Sequence, residues 1–361
     1  MSRQSLALYL KQNRLCCPGC HGAPSLDGER LTCGGCAAEY VVVDGIPVLL
    51  PPEPEWPAAK RPIQEFWGAL YDAAYARHAE EHDRDAFLAL LPELERLFVH
   101  REHLAAREMP LGGIAGRAVL EIGSGAGAYS AFFAARGAEM TSVDVTPERV
   151  LATARKLDWV PTPNQFALQA DAEWLPFHDG SFDIVYSNGV LHHTFDTERA
   201  INEVHRVLRP GGRAVVMLYA KHSFHYWVNL FLLHAVRGGH VFRGRHWLGP
   251  ATEWMARSAQ PVFNPETKVY SARGVRRLFA PFRSVKIRKN SFSAERALNP
   301  LTLVPRVGPA LAARVVRRLE RRQGFSRAGT LIYGMPHRYE TPLELALGRW
   351  MGYGLNIEAV K

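Results

Sequence analysis

Four cysteines in two identical pairs are the residues near the start of the chain whose spacing favours metal chemistry. Two residues separate Cys17 from Cys20 and Cys33 from Cys36, and twelve residues lie between the pairs. Such a spacing lets a tight turn aim both thiolates at one ion, and two turns complete a tetrahedral four-cysteine zinc site. Disulfides are the alternative, but a cytosolic compartment keeps thiols reduced. We predict a structural zinc with no open ligand position, with Cys16 outside the ligand set.

A glycine-rich turn is the second group of residues with chemical potential. The segment 119–127 is typical of a strand, a tight turn at Gly123, Ser124, Gly125 and Gly127, and the start of a helix. The turn lets a ligand approach the backbone closely, and the helix N-terminus offers free N–H groups to a carboxylate. With Ala128 the turn also satisfies the dinucleotide pattern G-x-G-x-x-A. Taken alone, it leaves a dinucleotide enzyme open.

Acidic and polar residues follow at the ends of the later predicted strands. Asp144 lies about twenty residues beyond the turn, where an acid would hold ribose hydroxyls. The other candidates, in chain order, are Glu121 before the turn, Asp171 with Ala172, and Ser187 with Asn188.

Two adjacent histidines, His192 and His193, come just after the fourth predicted strand. Imidazole titrates near neutrality, so either could act as a general base towards an acceptor that must lose a proton. The alternative is that both have a structural role.

The elements that must position these residues alternate between strand and helix. The β-rich runs are 118–122, 140–145, 165–170, 182–187, 214–219, 284–288 and 355–360. This alternation predicts a parallel sheet covered on both faces, with ligands at its carboxyl edge. We therefore predict an α/β fold with a Rossmann-like, seven-stranded, mostly parallel sheet flanked by helices. Thr146 is expected to cap one of these helices, and the sequence from Arg209 to Gly212 to end another.

Composition divides the chain into three zones. Residues 1–52 hold all five cysteines and form the predicted zinc ribbon, with a hairpin turn at Asp27 and Gly28. Residues 53–110 are expected to be a proline-rich linker, including Pro54 and Pro57, and a helical lead-in with apolar residues such as Phe66, Ala74 and Phe87. Residues 111–361 form the predicted catalytic domain, interrupted by helical lid insertions at about 220–267 and 291–345.

The ordered set of strand-end features from 120 to 218 resembles the class I S-adenosylmethionine-dependent methyltransferases, especially the ubiquinone and menaquinone C-methyltransferase branch. The resemblance implies that Gly123 and its neighbours in the turn contact the methionine part of the cofactor. It implies that Asp144 binds the ribose, Asp171 the adenine amino group, and the Ala172 backbone the ring. Glu121, Ser187 and Asn188 are included in the implied cofactor site.

The segment from Cys17 to Leu50, with its D-G-I-P-V-L-L ending, resembles the zinc-ribbon activator subunit of tRNA, rRNA and protein methyltransferases. In that family the ribbon packs on a methyltransferase. The resemblance therefore implies that activator and enzyme are fused in this chain.

Six residues after the fifth predicted strand suggest the acceptor. They are Tyr219, His222, Phe224, His225, Tyr226 and Trp227. We predict that they line an apolar lid pocket for a hydrophobic or ring-bearing small molecule. The alternatives are plain packing of a lid, or an amphipathic segment that dips into a membrane interface.

Charge and hydropathy bound the remaining possibilities. The net charge is +9, and the excess positive charge is concentrated late in the chain. Nucleic acid is therefore a possible partner. The sequence does not favour this interpretation over a basic helix face that is exposed to solvent. The longest apolar run, about a dozen residues, is shorter than the ~20 that a membrane span needs. With no secretory signal, a cytoplasmic location is expected. The sequence does not determine the oligomeric state.

The leading hypothesis is a methyltransferase that acts on a small molecule at carbon, oxygen or nitrogen. A tRNA or rRNA methyltransferase that uses the ribbon and the basic half is the alternative. The third hypothesis is a non-catalytic partner-binding protein. The intact glycine turn and the two acids Asp144 and Asp171 argue against it.

Overall fold

The computed structural model describes residues 3–12, 14–52, 56, 58–72, 82–242, 247–257, 260–305 and 307–361. Among the sequence predictions, linker residues Pro54 and Pro57 and the helical position Ala74 lie outside the described residues. So do parts of the first predicted insertion, at 243–246 and 258–259.

Strands are distributed along the whole described chain. They are β1 (Pro24–Asp27), β2 (Arg30–Cys33), β3 (Glu39–Val43), β4 (Ile46–Leu49), β5 (Ala118–Ile122), β6 (Glu139–Asp144), β7 (Phe166–Ala170), β8 (Phe182–Asn188), β9 (Leu208–Tyr219), β10 (Trp254–Arg257), β11 (Gln260–Phe263), β12 (Ser284–Asn290), β13 (Phe325–Ser326), β14 (His337–Arg338) and β15 (Gly354–Val360).

Helices precede, separate and follow these strands. They are α1 (Arg3–Lys11), α2 (Arg61–Leu70), α3 (Arg84–His100), α4 (Leu104–Arg107), α5 (Ala128–Ala134), α6 (Pro147–Trp159), α7 (Thr197–Val207), a π-helix (His225–Val236), α8 (Leu248–Thr252), α9 (Ala272–Leu278), α10 (Ala294–Ala297), α11 (Val307–Gln323), α12 (Thr330–Tyr333) and α13 (Pro342–Met351). Short 3₁₀ turns occur at Ala58–Lys60, Leu111–Gly113, Leu191–His193, His240–Phe242, Asn299–Leu303 and Arg327–Gly329.

One large sheet organises the molecule, in the order β1-β2-β3-β4-β7-β6-β5-β8-β9-β15-β12. Strands β4 to β9 along this order run parallel, whereas β15 is antiparallel to both of its neighbours. The prediction of seven strands was wrong about the extent of the sheet, because four further strands come from the N-terminal ribbon. The α/β class and the mostly parallel catalytic part agree with the sequence analysis.

The central strands are buried along their whole length, as expected for a parallel sheet covered on both faces. Successive residues of β5 enter different cores because side chains alternate across a strand. Leu120 and Ile122 pack into the core on one face, and Val119 packs into the core on the other. The strand ends are therefore fixed from both sides.

The zinc-ribbon region is built into this sheet. In β4, Val48 lies opposite Gln169 of β7, and Leu49 lies opposite Ala170. Upstream, the Tyr9 ring of α1 stacks on Phe166 of β7 with the ring centroids 4.3 Å apart. The described residues from 3 to 52 thus share a sheet and a core with the catalytic part, rather than forming a separate module.

Helix punctuation differs from the sequence prediction at one position. Thr146 does precede α6, but its side chain makes no capping hydrogen bond; its hydroxyl donates to Asp144 instead. The other predicted boundary holds, because α7 ends at Val207 just before Arg209.

The two insertions contain more than helices. The first holds the π-helix, α8 and the hairpin β10–β11, and the second holds α10 to α13 and the hairpin β13–β14. Among the described residues, no helix combines the length and apolarity needed to span a membrane.

Replacing Leu49 should test whether ribbon and catalytic part share one core. Leu49 is fully buried in β4, so Leu49→Ala is expected to lower the free energy of unfolding of the whole chain by about 2–5 kcal/mol. Val43→Ala in β3, where the side chain is largely exposed, should cost less than about 1 kcal/mol. Urea unfolding followed by circular dichroism measures both. A main transition that Leu49→Ala leaves in place would contradict the shared core.

Candidate active site and zinc site

A cavity of about 700 Å³, open to solvent, lies at the carboxyl ends of β5, β6 and β7. Parallel sheets bind their ligands at this edge. Its walls come from the strand ends, from α2 and from the segment after β8. The lining residues are Lys60, Ile63, Trp67, Ile122, Gly123, Val143, Asp144, Val145, Arg149, Ala170, Asp171, Ala172, Glu173, Gly189, Val190, His193, Thr194 and Phe195.

The glycine turn after β5 has a backbone that other residues would strain. Gly123 has a φ of 75°, and Gly127, which caps α5, has a φ of 79°. A Cβ at Gly123 would lie 2.3 Å from a methyl of Val190, and one at Gly127 would lie 2.6 Å from the Thr153 backbone. The two glycines thus permit a close approach of the segments on either side of the turn.

Asp144, at the end of β6, is fixed towards the cavity by the turn itself. Its Oδ2 accepts a hydrogen bond from the Gly125 amide at 3.0 Å. Its Oδ1 accepts from the amide and hydroxyl of Thr146, each at 3.1 Å. A carboxylate has about four acceptor positions, and three are occupied here, so Asp144 retains about one position for a hydroxyl donor of a ligand.

Asp171, at the end of β7, belongs to a buried ionic cluster that the sequence analysis missed. The Lys60 ammonium lies 2.5 Å from Asp171 Oδ2 and 2.8 Å from Glu173 Oε1. Trp56 Nε1 donates to the same Asp171 oxygen at 2.8 Å, and the Glu173 amide donates to the other. Burial, with the charge of Asp171 beside it, raises the pKa of Glu173. The predicted adenine ligand thus already carries three donors.

Four of the other predicted cofactor residues do not line the cavity but support its framework. Glu121 accepts a hydrogen bond from Ser130 of α5, and burial raises its pKa to about 8. Ser124 accepts a hydrogen bond from the Thr153 hydroxyl. Ser187 donates a hydrogen bond to the Ile122 carbonyl, and Asn188 donates one to the Tyr129 hydroxyl. Gly125 and Gly127 likewise lie outside the lining, whereas Gly123, Asp144, Asp171 and Ala172 belong to it.

The paired histidines have different surroundings. His193 lines the cavity; its Nδ1 lies 3.0 Å from the Glu266 carbonyl oxygen, and its Nε2 lies 3.7 Å from Glu253 Oε1. Neither ring nitrogen of His192 has a hydrogen-bond partner among the described residues, and its ring packs 3.8 Å from that of Tyr219. Burial lowers the pKa of both imidazoles. Of the two, His193 alone faces the cavity.

The aromatic residues predicted to line an acceptor pocket lie elsewhere. None of the six from Tyr219 to Trp227 is among the residues that line this cavity, and an aromatic acceptor pocket stays a prediction. Tyr219 and Tyr226 pack in a separate apolar cluster with Tyr353. The aromatic rings at the cavity are instead Trp67 and Phe195.

Several residues at or beside the cavity had no signal in the sequence. Lys60 and Trp67 belong to the lead-in, where helical periodicity gives no indication of a ligand. Glu253, beside His193, lies in the first insertion more than fifty residues away along the chain. Only the folded chain brings these three residues to the strand ends.

The four predicted zinc ligands converge. All four sulfurs lie within 4.8 Å of one another, with 3.7 Å between those of Cys17 and Cys36 and 3.4 Å between those of Cys20 and Cys33. A tetrahedral zinc with Zn–S bonds near 2.3 Å needs sulfurs about 3.8 Å apart. The donor set therefore fits zinc. Cys16 is buried outside the cluster, and its amide donates to the Pro176 carbonyl.

The two cysteine turns have matching backbones. The Cys17 amide donates to the Gly22 carbonyl and the Cys33 amide to the Ala38 carbonyl, each five residues ahead. A Cβ at Gly22 would lie 2.9 Å from Cys33 Sγ. Side-chain-free residues therefore leave room for the thiolates to approach one centre.

Comparison with known proteins finds a family model that matches part of the chain. Residues 120–216 match the family model described as a methyltransferase domain. This part of the chain is therefore similar to a methyltransferase domain. The match includes the glycine turn, Asp144 and Asp171, and it ends within β9, before both insertions.

The methyltransferase domain has curated relatives among bacteria. An uncharacterized methyltransferase of Mycobacterium sp. (strain JLS) is 34% identical over 172 residues, which are 48% of this chain and 60% of that protein. The uncharacterized methyltransferase YcgJ of Bacillus subtilis is 34% identical over 123 residues, which are 34% of this chain and 49% of that protein. The chain spans less than two thirds of the length of these relatives.

Solved structures resemble the chain more distantly. The YcgJ protein of Bacillus subtilis is 19% identical, with 72% of this chain and 97% of that chain covered and a TM-score of 0.40. A Haloferax volcanii complex of the Trm112 methyltransferase activator with a methyltransferase gives 18% identity, 77% and 97% coverage and a TM-score of 0.43.

The zinc site gives a direct metal prediction. We expect one zinc per chain by metal analysis, and Cys33→Ser should lose most of it because a four-thiolate site has no spare ligand. Cys16→Ala should retain the metal. A folded wild-type protein that is purified without added chelator and holds no zinc would contradict the site.

Proposed function

We propose that the chain is an S-adenosylmethionine-dependent methyltransferase whose acceptor is a small hydrophobic or ring-bearing molecule. The observation that carries the proposal is the position of Asp144, which lies beside the glycine turn in a cavity at the carboxyl edge of the sheet. An acid at this position suits a ribose.

The cofactor would extend along the strand ends. The turn at Gly123 suits the methionine part, and Asp144 suits the ribose hydroxyls. Asp171 and the Ala172 backbone suit the adenine ring, since both line the same cavity. Glu121, Ser187 and Asn188 would act indirectly, because their hydrogen bonds hold the turn and the ends of β5 and β8.

Adenine binding at Asp171 would involve the lead-in. Lys60 and Trp56 occupy one oxygen of this carboxylate, so the adenine amino group would use the second oxygen, beside the Glu173 amide, or displace a donor. The Lys60 side chain also lies 4.3 Å from the Trp174 ring centroid. The lead-in thereby forms one wall of the cofactor site, and the affinity for the cofactor depends on it.

The cofactor, when bound, supplies an electrophilic methyl group on a good leaving group. The contribution of the protein is then to align the acceptor for in-line attack and to exclude water, which together supply up to ~7–11 kcal/mol. Ile63, Trp67, Val190 and Phe195 provide apolar walls for both purposes. These walls favour a hydrophobic or planar acceptor over a strongly charged one.

His193 is the candidate general base. If its Nδ1–H donates to the Glu266 carbonyl, Nε2 is the unprotonated nitrogen. Glu253, 3.7 Å from Nε2, would stabilise the imidazolium once a proton has been taken. Glu253 is itself held by the Tyr219 hydroxyl at 2.8 Å and the Asn264 amide at 3.0 Å. His192 is left with a packing role.

The structural zinc would serve the same site through β4. The ribbon places β4 against β7, whose next residue is Asp171. A ribbon in the same chain would therefore stabilise the strand that carries the adenine ligand, as the fusion of activator and enzyme implies.

Binding of S-adenosylhomocysteine tests the cofactor proposal. We expect calorimetry to detect binding to the wild type, and Asp144→Asn to weaken it about 10- to 100-fold, since hydrogen bonds to a charged group contribute about 1.5–3 kcal/mol. Asp85→Asn changes an exposed carboxylate outside the cavity and should leave binding unchanged. No binding to the wild type would remove the enzyme proposal. Binding of a nicotinamide dinucleotide instead would indicate a dehydrogenase.

The role of His193 has a pH signature. Burial lowers its pKa from the ordinary 6.5, so the neutral base is fully present at pH 7 and above. Methyl transfer should therefore fall as the pH drops below 6.5, and not at a higher pH. His193→Gln is expected to reduce kcat about 10²–10⁴-fold and to remove this acid limb.

Transfer of labelled methyl groups from S-adenosylmethionine into an organic cell extract measures both effects. His222→Gln, at an exposed side chain, is the matched control. An unchanged rate in His193→Gln would assign the histidine to packing.

A further inference from the structure

An exposed apolar surface runs across both insertions, and no part of the proposed reaction uses it. We name it the apolar–arginine face. Its apolar members are Trp227, Leu232 and Val236 of the π-helix, Val241 and Phe242 of the next turn, and Leu303, Val304, Val307 and Leu311 at the start of α11. Its basic members are Arg314, Arg317, Arg318, Arg321 and Arg322 of α11.

The π-helix is apolar on both sides, but only one side is covered. Tyr226 and Leu230 face the interior, with Asn229 donating to the Arg296 carbonyl at 2.9 Å. Trp227 and Leu232, on the outer side, are 42% and 52% exposed, and Phe242 in the following turn is 81% exposed. A helix that is apolar all round is normally buried all round. The outer side therefore lacks a covering partner among the described residues.

The parts of the two insertions that carry these exposed side chains pack together. The π-helix packs against α10 and the turn Asn299–Leu303, and that turn packs against α11. Gly308 makes the second contact possible, because a Cβ there would lie 1.7 Å from the Leu301 carbonyl oxygen. The exposed Val304 and Val307 thus lie in an ordered junction rather than on a loose loop.

Helix α11 changes from apolar to basic along one exposed stripe. Val307, Leu311, Arg314, Arg318 and Arg321 follow at intervals of three or four residues, so they share a helix face. All five arginines of the helix are exposed. None of them forms an ion pair with any residue that the structure describes.

We propose that the apolar–arginine face docks on the surface of an anionic lipid bilayer. Apolar side chains beside a row of unpaired arginines match such a surface, because acyl chains take the former and lipid phosphates attract the latter. Each basic side chain near an anionic membrane adds to this attraction. A tryptophan such as Trp227 also suits the boundary between headgroups and acyl chains.

Nucleic acid would explain the arginines but not the apolar residues. Protein–nucleic acid interfaces are polar and strongly positive, so they offer nothing to Phe242, Val304 or Val307. A bilayer surface accounts for both the apolar and the basic half of the face.

The π-helix, which carries part of the face, is connected to the candidate active site through aromatic rings in contact. His225, at the start of the π-helix, packs 4.7 Å from Tyr353, which packs 4.3 Å from Tyr219. Tyr219 contacts both His192 and His193. A docked enzyme would thereby hold its acceptor side near the bilayer. This last step rests on the proposed function and makes the acceptor a molecule that partitions into lipid.

Sedimentation of the full chain with vesicles tests the docking proposal without any cofactor or acceptor. We expect the protein to bind vesicles of phosphatidylcholine with about 30% phosphatidylglycerol, and to bind pure phosphatidylcholine at least about tenfold more weakly. Phe242→Ser with Val307→Ser should reduce partitioning about tenfold or more. Arg317→Glu with Arg321→Glu should reduce it about tenfold or more.

Matched controls separate the face from general charge and hydrophobicity. Arg276→Glu with Arg277→Glu makes the same charge change on α9, outside the face, and Val99→Ser removes a comparably exposed valine from α3. Both should bind vesicles as the wild type does, and circular dichroism should show all variants folded. Equal binding to both vesicle types, or equal losses in controls and face variants, would overturn the proposal.

Two other results would also overturn it. In the first, bulk tRNA displaces the vesicles, and its binding is weakened by the arginine substitutions but not by Phe242→Ser. The face would then be a nucleic-acid surface. If Phe242→Ser instead converts a dimer to a monomer without affecting vesicle binding, a second copy of the chain covers it. S-adenosylhomocysteine binding, measured separately, shows whether the cofactor proposal stands whatever the vesicles show.

Discussion

The parallel pairing of β4 with β7 is the contact on which the arrangement of the site depends. Val48 and Leu49 lie opposite Gln169 and Ala170, so the ribbon covers the strand that would otherwise be the edge of the catalytic sheet. An unpaired edge strand leaves backbone groups open and its end poorly fixed. The residue that follows this strand is Asp171. Because of the same pairing, the chain beyond Leu49 leads towards the cavity. There the side chains of Trp56 and Lys60 donate hydrogen bonds to the Asp171 carboxylate.

The two buried carboxylates at the cavity, Asp171 and Asp144, have different kinds of partner. Lys60 lies between Asp171 and Glu173 and is almost completely buried. A charge in such a position is stable only while its partners remain, and removing one leaves the others unpaired at a cost of about 3–5 kcal/mol. Asp144 is treated differently, because backbone and hydroxyl donors hold it without a cation. Asp144 therefore keeps its charge available to a ligand, whereas Asp171 is already compensated by the protein.

The adjacent histidines show how different the surroundings of two neighbouring side chains can be. His193 and His192 have the same chemistry and neighbouring positions, yet one ring faces the cavity beside Glu253 and the other is enclosed by Tyr219. The surroundings of His193 include Glu253, Asn264 and Glu266, which all belong to the first insertion. The insertion thus completes the site from the side, while its outer surface remains uncovered.

Local patterns were enough to predict the strands of the catalytic part, the glycine turn and the convergence of four cysteines. Strand periodicity, backbone strain at Gly123 and Gly127, and the two-residue spacing of thiols act over a few residues, so the sequence by itself determined them. The seven-strand estimate failed because β4 is a ribbon strand whose partner lies more than a hundred residues away. The positions of Lys60, Trp67 and Glu253 and the displacement of the aromatic cluster from the cavity also depend on distant contacts. Only the tertiary structure decided them, because nothing in the residues near each of them specifies its partner.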